Sequence, residues 1–267
     1  MHFLRSLAFQ IMFYLNVFFW MVLWLPSLLM RRHGALELGR QWGRTSLFLL
    51  DKLCGLKVEF RGLEHLEAGP VIVAAKHQST WDTFVLPLLF PDFSFILKRE
   101  LVYLPFFGWY LIAAEQIGID RAKGGKLLPQ LVEKTKRIFA QNRQLFIFPE
   151  GTRRLAGAPP DYKYGVAHLY HETGARVLPV ALNSGVFWGR HKLLIHPGVA
   201  VIEFLPVIEP GLPPREFLNL LSERIETACD RLIDEAVARD PSLAAVIEAN
   251  KRQAAASPKR KRSASDK

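Results

Sequence analysis

The segment KHQSTWDT, residues 76–83, sets a histidine five residues ahead of an aspartate. It lies where an apolar run, PVIVAAK, gives way to a new apolar segment. A carboxylate that accepts the Nδ1 proton of an imidazole fixes its tautomer and leaves Nε2 free to act as a general base. Ser79-Thr80-Trp81-Asp82 also fits a capping box, with Ser79 as N-cap and Asp82 three residues on. The cap accounts for Asp82 but not for His77. On a regular helix, residues five apart point about 140° away from one another, so His77 and Asp82 cannot pair if both are helical. A helix that begins near Ser79 leaves His77 in the preceding loop, free to fold back over the first turn. Cap and dyad are then compatible, and a backbone N–H near that helix start is the expected oxyanion donor.

A second constellation, FPEGTRR at residues 148–154, places Glu150, Gly151, Thr152, Arg153 and Arg154 straight after the apolar run LFIFP. Gly151 lets the backbone approach a ligand, and Arg153 or Arg154 can grip a phosphate through paired hydrogen bonds. Taken alone it also reads as a surface turn with solvated charges. A third segment, IGIDR, ends a strand-like run with Asp120 and Arg121, another candidate phosphate ligand. A fourth, VLPVAL, reads as core, with Pro179 out of place inside a strand. Other matches fail on spacing. GIDRAKGGK lacks the G-x4-G-K-[ST] of a phosphate loop, and HLYHE fits neither zinc order, which leaves His168 and His171 as helix-surface residues. With no G-x-S-x-G, Ser184 in NSG lacks the elbow of a serine hydrolase.

These residues need a scaffold, and from about residue 56 the pattern is α/β. LKVEFRG, PVIVAA, FSFIL, LFIFP, RVLPVAL and VAVIEFLPVI read as strands. Helical patterns lie between and after them over 80–89, 126–140, 165–173 and 216–239. The last carries Leu218, Leu221, Ile225, Cys229, Leu232 and Ile233 on one stripe.

In this order the four segments resemble the 1-acylglycerol-3-phosphate acyltransferase family, over about residues 55–210. HQSTWD matches its His-x4-Asp block, IDR its arginine-bearing second block, FPEGTR its third and VLPVAL its fourth. The resemblance implies a glycerolipid-acyltransferase-like mixed sheet flanked by helices and preceded by N-terminal membrane-associated helices. By the family's pattern, His77 is the general base and Asp82 its partner. Arg121, Glu150, Gly151 and Arg153 bind the glycerol phosphate, with Thr152 in the same block, and Pro179 helps to shape the site. Lys98, ahead of LPFFGW, and Lys163 in YKYG match further basic positions of the family; phenylalanine is commoner there than Tyr162. The implied activity moves an acyl chain from acyl-CoA or acyl carrier protein to the sn-2 hydroxyl of a lysophospholipid acceptor, with no cofactor. An activated thioester needs a base but no covalent enzyme intermediate, and such a base contributes about 10²–10⁴ in rate. Rival readings are the same chemistry on glycerol-3-phosphate or a lyso-aminolipid, and a non-catalytic lipid-binding module.

Half of the 267 residues are apolar. Residues 1–50 hold five arginines against one acid, and residues 251–267 seven basic residues against one acid, so the net charge of +10 sits wholly at the two ends. Nucleic-acid binders carry their charge on the folded domain; here it flanks a greasy N-terminus, which suits the anionic surface of a bilayer. Residues 7–30 are interrupted only by Gln10, Asn16, Pro26 and Ser27. As one helix they would be about 36 Å long, enough to span or to dip into one leaflet and return. The MRRHG that follows lacks the small-residue site of a signal peptide and places the rest on the cytoplasmic side, as in a bacterial inner membrane. Cys54 and Cys229 lie far apart without metal-ligand spacing. The expected organisation is a membrane-associated helical segment (1–54), an acyltransferase domain (55–210), packed helices (211–250) and a disordered basic tail (251–267).

Overall fold

The computed structural model describes residues 2–120 and 125–256. The apolar run at the N-terminus is not one helix. Helix α1 (His2–Leu23) stops where Pro26 enters, a 3₁₀ turn (Leu25–Met30) reverses the chain, and α2 (Arg31–Leu49) returns beside it. A proline lacks the N–H that the first turn of a new helix has no use for, so it sits at the reversal without loss.

Asn16, one of the polar residues that interrupt the run, is a docking point. Asn16 Nδ2 donates to Thr45 Oγ1 on α2 at 2.9 Å, and Trp20 Nε1 donates to the same hydroxyl at 3.0 Å. Phe9 and Phe13 are buried against Trp188, and Phe13 also against Trp42 and Phe84. The N–H of Ile195 donates to Ser6 Oγ at 3.0 Å, and the Tyr110 hydroxyl to the Met21 carbonyl at 2.7 Å. The folded body therefore holds α1 from its first turn to its last. The opposite face, with Leu4, Ile11, Leu15, Phe18, Phe19 and Val22, is exposed.

Seven strands form one sheet in the order β1-β7-β6-β2-β5-β3-β4. β1 is Leu56–Arg61, β2 Ile72–Ala75, β3 Phe93–Lys98, β4 Ile117–Ile119, β5 Gln144–Ile147, β6 Val177–Leu182 and β7 Gly198–Phe204. All neighbouring pairs are parallel except β6 and β7. The central strands are apolar throughout because both faces are covered, as parallel sheets require. Val73 and Ala75 point into the layer of α1 and α2, whereas Ile72 and Ala74 point into that of α5 (Leu128–Ala140), α6 (Tyr164–Thr173) and α8 (Pro214–Arg239).

Three boundaries differ from the sequence reading. The helix expected over 80–89 is α3 (Trp81–Val85) followed by a 3₁₀ turn (Leu86–Leu89), because Pro87 has no N–H to continue the α-helical ladder. The buried stripe of α8 begins at Phe217, with Leu218 only half-buried. The last helix, α9 (Leu243–Ala256), extends through the first six residues assigned to a disordered tail; residues 257–267 lie outside the described residues.

The docking of α1 yields a contrast between two of its residues. Phe13→Ala empties a site walled by three aromatic side chains and should cost about 3–5 kcal/mol. Leu15→Ala, on the exposed face, should change stability by less than about 0.5 kcal/mol. Urea unfolding in mild detergent measures both, and equal effects would contradict the observed docking.

Candidate active site

The parallel strands β2, β3, β4, β5 and β6 deliver their carboxyl ends to one edge of the sheet, where open α/β folds bind ligands. Four sequence motifs leave from those ends. β2 runs into Lys76 and His77, β5 into FPEGTRR, and β6 into Asn183 and Ser184, while β3 ends at Lys98. β4 leads to Asp120; Arg121 lies outside the described residues. The Arg154 N–H donates to the His77 carbonyl at 2.8 Å, so the loop after β5 is tied to the loop after β2.

His77 and Asp82 do pair. Nδ1 lies 2.9 Å from Asp82 Oδ2, with Asp82 fully buried and His77 still reached by solvent. The same Oδ2 accepts the N–H groups of Gln78 and Ser79 at 2.7 and 2.8 Å, and Oδ1 accepts the Ser184 hydroxyl at 2.5 Å. Four donors fill the acceptor capacity of one carboxylate. The capping interaction is present as well: Ser79 N–H reaches Asp82, and Ser79 Oγ accepts from Trp81 N–H at 3.2 Å, although the regular helix starts at Trp81 with Thr80 in the cap position. An Nδ1–H donated to Asp82 leaves Nε2 as the free basic nitrogen. The imidazole is held flat against Phe148, centroids 3.9 Å apart and planes 15° from parallel. The N–H groups of Gln78, Ser79 and Trp81 are spent within this turn, so an oxyanion must be met by other donors.

Arg153 reaches the same turn, where its Nη1 donates to Thr80 Oγ1. Its pKa is lowered, first by partial burial and next by the charge of Arg190, with Asp82 opposing. Gly151 adopts φ +66°, in the left-handed region that favours glycine, and turns the chain so that Thr152 is exposed. Lys98 and Lys163 are exposed; Lys163 stands at the N-cap position of α6 without a side-chain cap, and its Nζ pairs with Asp161 at 2.8 Å.

Two residues of the expected binding set are placed inside instead. Glu150 is buried, and its carboxylate faces Lys76 Nζ at 3.1 Å. Pro179 lies in the middle of β6, opposite Ala74, where its carbonyl accepts from the Leu205 N–H. Lacking an N–H of its own, Pro179 sits where the antiparallel ladder with β7 ends. Each shapes the sheet beneath the site rather than lining its surface.

The sequence reading passed over the partners of Glu150. Lys76 is 2 % exposed and also pairs with Glu226 of α8 at 2.7 Å, which in turn accepts the Tyr162 hydroxyl at 2.8 Å. Burial alone would lower the pKa of Lys76, but Glu150 and Glu226 together raise it. Burial raises that of Glu150, with Glu226 adding and Lys76 opposing. A lysine adjoining a candidate catalytic histidine, followed by a distant helix with a carboxylate on its sheet-facing side, was the available signal. Among the described residues no group of histidine, cysteine and carboxylate side chains could hold a metal ion.

Lys76→Met should leave Glu150 in the interior with only the more distant Arg154, at 3.8 Å, as a cation and cost about 3–5 kcal/mol. Adding Glu150→Gln removes the orphaned charge and should restore part of the loss. Denaturant midpoints of the single and double variants measure this; a double variant no more stable than the single one would mean that the pair does not carry the energy.

Residues 57–183 match the family model described as Acyltransferase. The chain is 33 % identical over 220 residues to a Pseudomonas aeruginosa 1-acyl-sn-glycerol-3-phosphate acyltransferase, covering 81 % of this chain and 86 % of that protein. It is 29 % identical over 204 residues to a Saccharomyces cerevisiae protein of the same name, covering 74 % of this chain and 65 % of that one. The fold is shared with the crystal structure of the 1-acyl-sn-glycerophosphate acyltransferase PlsC from Thermotoga maritima. The TM-score is 0.72 at 22 % identity, over 87 % of this chain and 98 % of that one. On these matches, the chain belongs to the 1-acyl-sn-glycerol-3-phosphate acyltransferase family.

Proposed function

We propose that the enzyme transfers an acyl group from the thioester of coenzyme A or acyl carrier protein to the sn-2 hydroxyl of 1-acylglycerol 3-phosphate, making phosphatidic acid. The observation that carries this reading is the His77–Asp82 pair at 2.9 Å beside a loop that presents an arginine. His77 Nε2 takes the hydroxyl proton as the oxygen attacks the thioester carbonyl. The new ester C–O bond forms, the C–S bond breaks, and the proton returns from the imidazolium to the departing thiolate. Arg153, Arg121 and the Gly151–Thr152 turn hold the acceptor's phosphate, and Lys98 and Lys163 extend the positive surface around it. No covalent acyl-enzyme is needed, and Ser184, whose hydroxyl is engaged by Asp82, is not a nucleophile.

The acceptor and product are lipids, so the site works at a bilayer. Helix α1 is 22 residues long and apolar enough to span, but one stripe of it is bound to the body along its length. That supports attachment by the exposed face lying in one leaflet, and the arginines that follow the apolar run favour the cytoplasmic side of a bacterial inner membrane for the catalytic domain. The basic ends add attraction to anionic lipids that salt weakens.

His77→Ala should lower kcat by at least about 10²-fold while leaving affinity for the lysolipid within severalfold. Asp82→Asn should also be strongly impaired through the wrong tautomer. Steady-state assays with a panel of lyso-acceptors and both thioester carriers test the reading. Near-normal kcat in His77→Ala, or turnover confined to another acceptor, would overturn it. Full-length protein should stay in the membrane pellet after a high-salt wash, and release by salt alone would contradict insertion of α1.

A further inference from the structure

Several arginines of this fold each bridge two carboxylates. Arg143 is held by Asp92 and Glu115, Arg61 by Glu59 and Glu235, Arg176 by Glu67 and Glu209, and Arg231 by Glu203 and Glu235. Two arginines at the catalytic edge break that pattern. Among the described residues, neither Arg153 nor Arg190 forms an ion pair. Arg153 Nη1 is occupied by Thr80, and Arg190 Nη1 donates to the backbone carbonyl of Arg153 itself at 3.1 Å. The carboxylate that Arg153 does feel, Asp82, already has four donors.

Arg190 is exposed, but its loop is anchored at both ends. Trp188 packs edge-on against Phe9 and Phe13 of α1, and Ile195 donates its N–H to Ser6 Oγ of the same helix. Two cations brought together with no ion pair of their own leave most of their N–H donors open, and each makes the other's charge costlier until an anion arrives. Bidentate pairing with guanidinium is the geometry that phosphate oxygens fit best.

We propose that Arg190 is the second guanidinium of a clamp, formed with Arg153, that selects a phosphate monoester dianion. This rests on the acyl-transfer reading and adds the choice of headgroup. A monoester offers three terminal oxygens and close to two charges, enough to satisfy both arginines, whereas a diester headgroup offers two oxygens and one charge. Arg190, absent from the family blocks, would thus make the site discriminate lysophosphatidate from lysolipids with substituted phosphates. The donor's phosphates carry similar chemistry, and the test separates the two sources.

The test compares wild type, Arg190→Ala and Arg190→Lys with three probes. These are a short-chain 1-acylglycerol 3-phosphate, its phosphate monomethyl ester, and an acyl-CoA. Losing a charge-assisted contact corresponds to about tenfold or more, so KM for the monoester should rise by that factor in Arg190→Ala. The methyl ester should be nearly unaffected, so the preference for the monoester collapses. Arg190→Lys should lie between, because it keeps the charge but not the fork. An unchanged monoester KM overturns the clamp, as does a rise confined to acyl-CoA, which would assign Arg190 to the donor.

Direct calorimetric binding of the monoester, with and without Arg190→Ala in a His77→Ala background, needs no turnover. Arg190-dependent binding by a wild type that fails to acylate the monoester would sustain the clamp and sink the proposed function. Turnover with Arg190-independent binding would do the reverse. Unfolding midpoints of the Arg190 variants should match wild type, since the residue contributes one surface contact.

Discussion

The structure around the catalytic edge depends on one buried carboxylate. Taking Asp82 out of water costs several kcal/mol unless its oxygens are matched by donors, and the matching draws on separate parts of the chain. Gln78 and Ser79 supply backbone N–H groups from the loop, His77 its ring, and Ser184 its hydroxyl from the far end of β6. Loop conformation, helix start and strand order must all be correct for the count to close. The imidazole is therefore oriented by a group that the fold cannot place in any other way without leaving a charge unsatisfied.

A second buried ionic cluster supports the first from the opposite face of the sheet. Side chains alternate along a strand, so Lys76 and His77 leave β2 in opposite directions. Lys76 enters the layer of α8, where Glu226 and Glu150 receive it, while His77 enters the layer of α3. The loop after β5 joins both arrangements. Its Glu150 faces inward to Lys76, and its Arg153 faces the first turn of α3 at Thr80. One short loop thereby transmits the position of α8 to the residues beside the imidazole.

Much of this could be read from the chain before any coordinates. The strands were legible because both-sided burial makes them continuous apolar runs, and the dyad because the ordered motif blocks resemble the family's, with a five-residue spacing that a loop before the helix permits. Contacts between distant segments were not. Ser184 was set aside for lacking a nucleophile's context, yet its hydroxyl lies 102 residues from the carboxylate that it serves. Glu150 was assigned to the phosphate site only by its place in the family's third block, and the fold shows that it faces Lys76. Pro26 left both a single span and a return open in the sequence, and the structure has the return. Asn16 looked like a flaw in an apolar run; it is the residue that holds α1 on α2. Periodicity reports which face is apolar, not what polar residue completes a contact elsewhere in the chain.

The contacts of α1 also set a timetable for synthesis. Ser6 leaves the ribosome 189 residues ahead of its partner Ile195. At about 5–20 residues per second the interval is roughly 10–40 s. Phe9 and Phe13 wait nearly as long for Trp188. During that time the outer face of α1 stays uncovered, and on the inner face α2 meets Asn16, Trp20 and Phe13 while the contacts with Trp188 and Ile195 are still missing. A nascent chain of this kind needs early shelter for its first helix. The face that remains exposed in the finished fold is the one that can keep that shelter while the other turns inward onto the body.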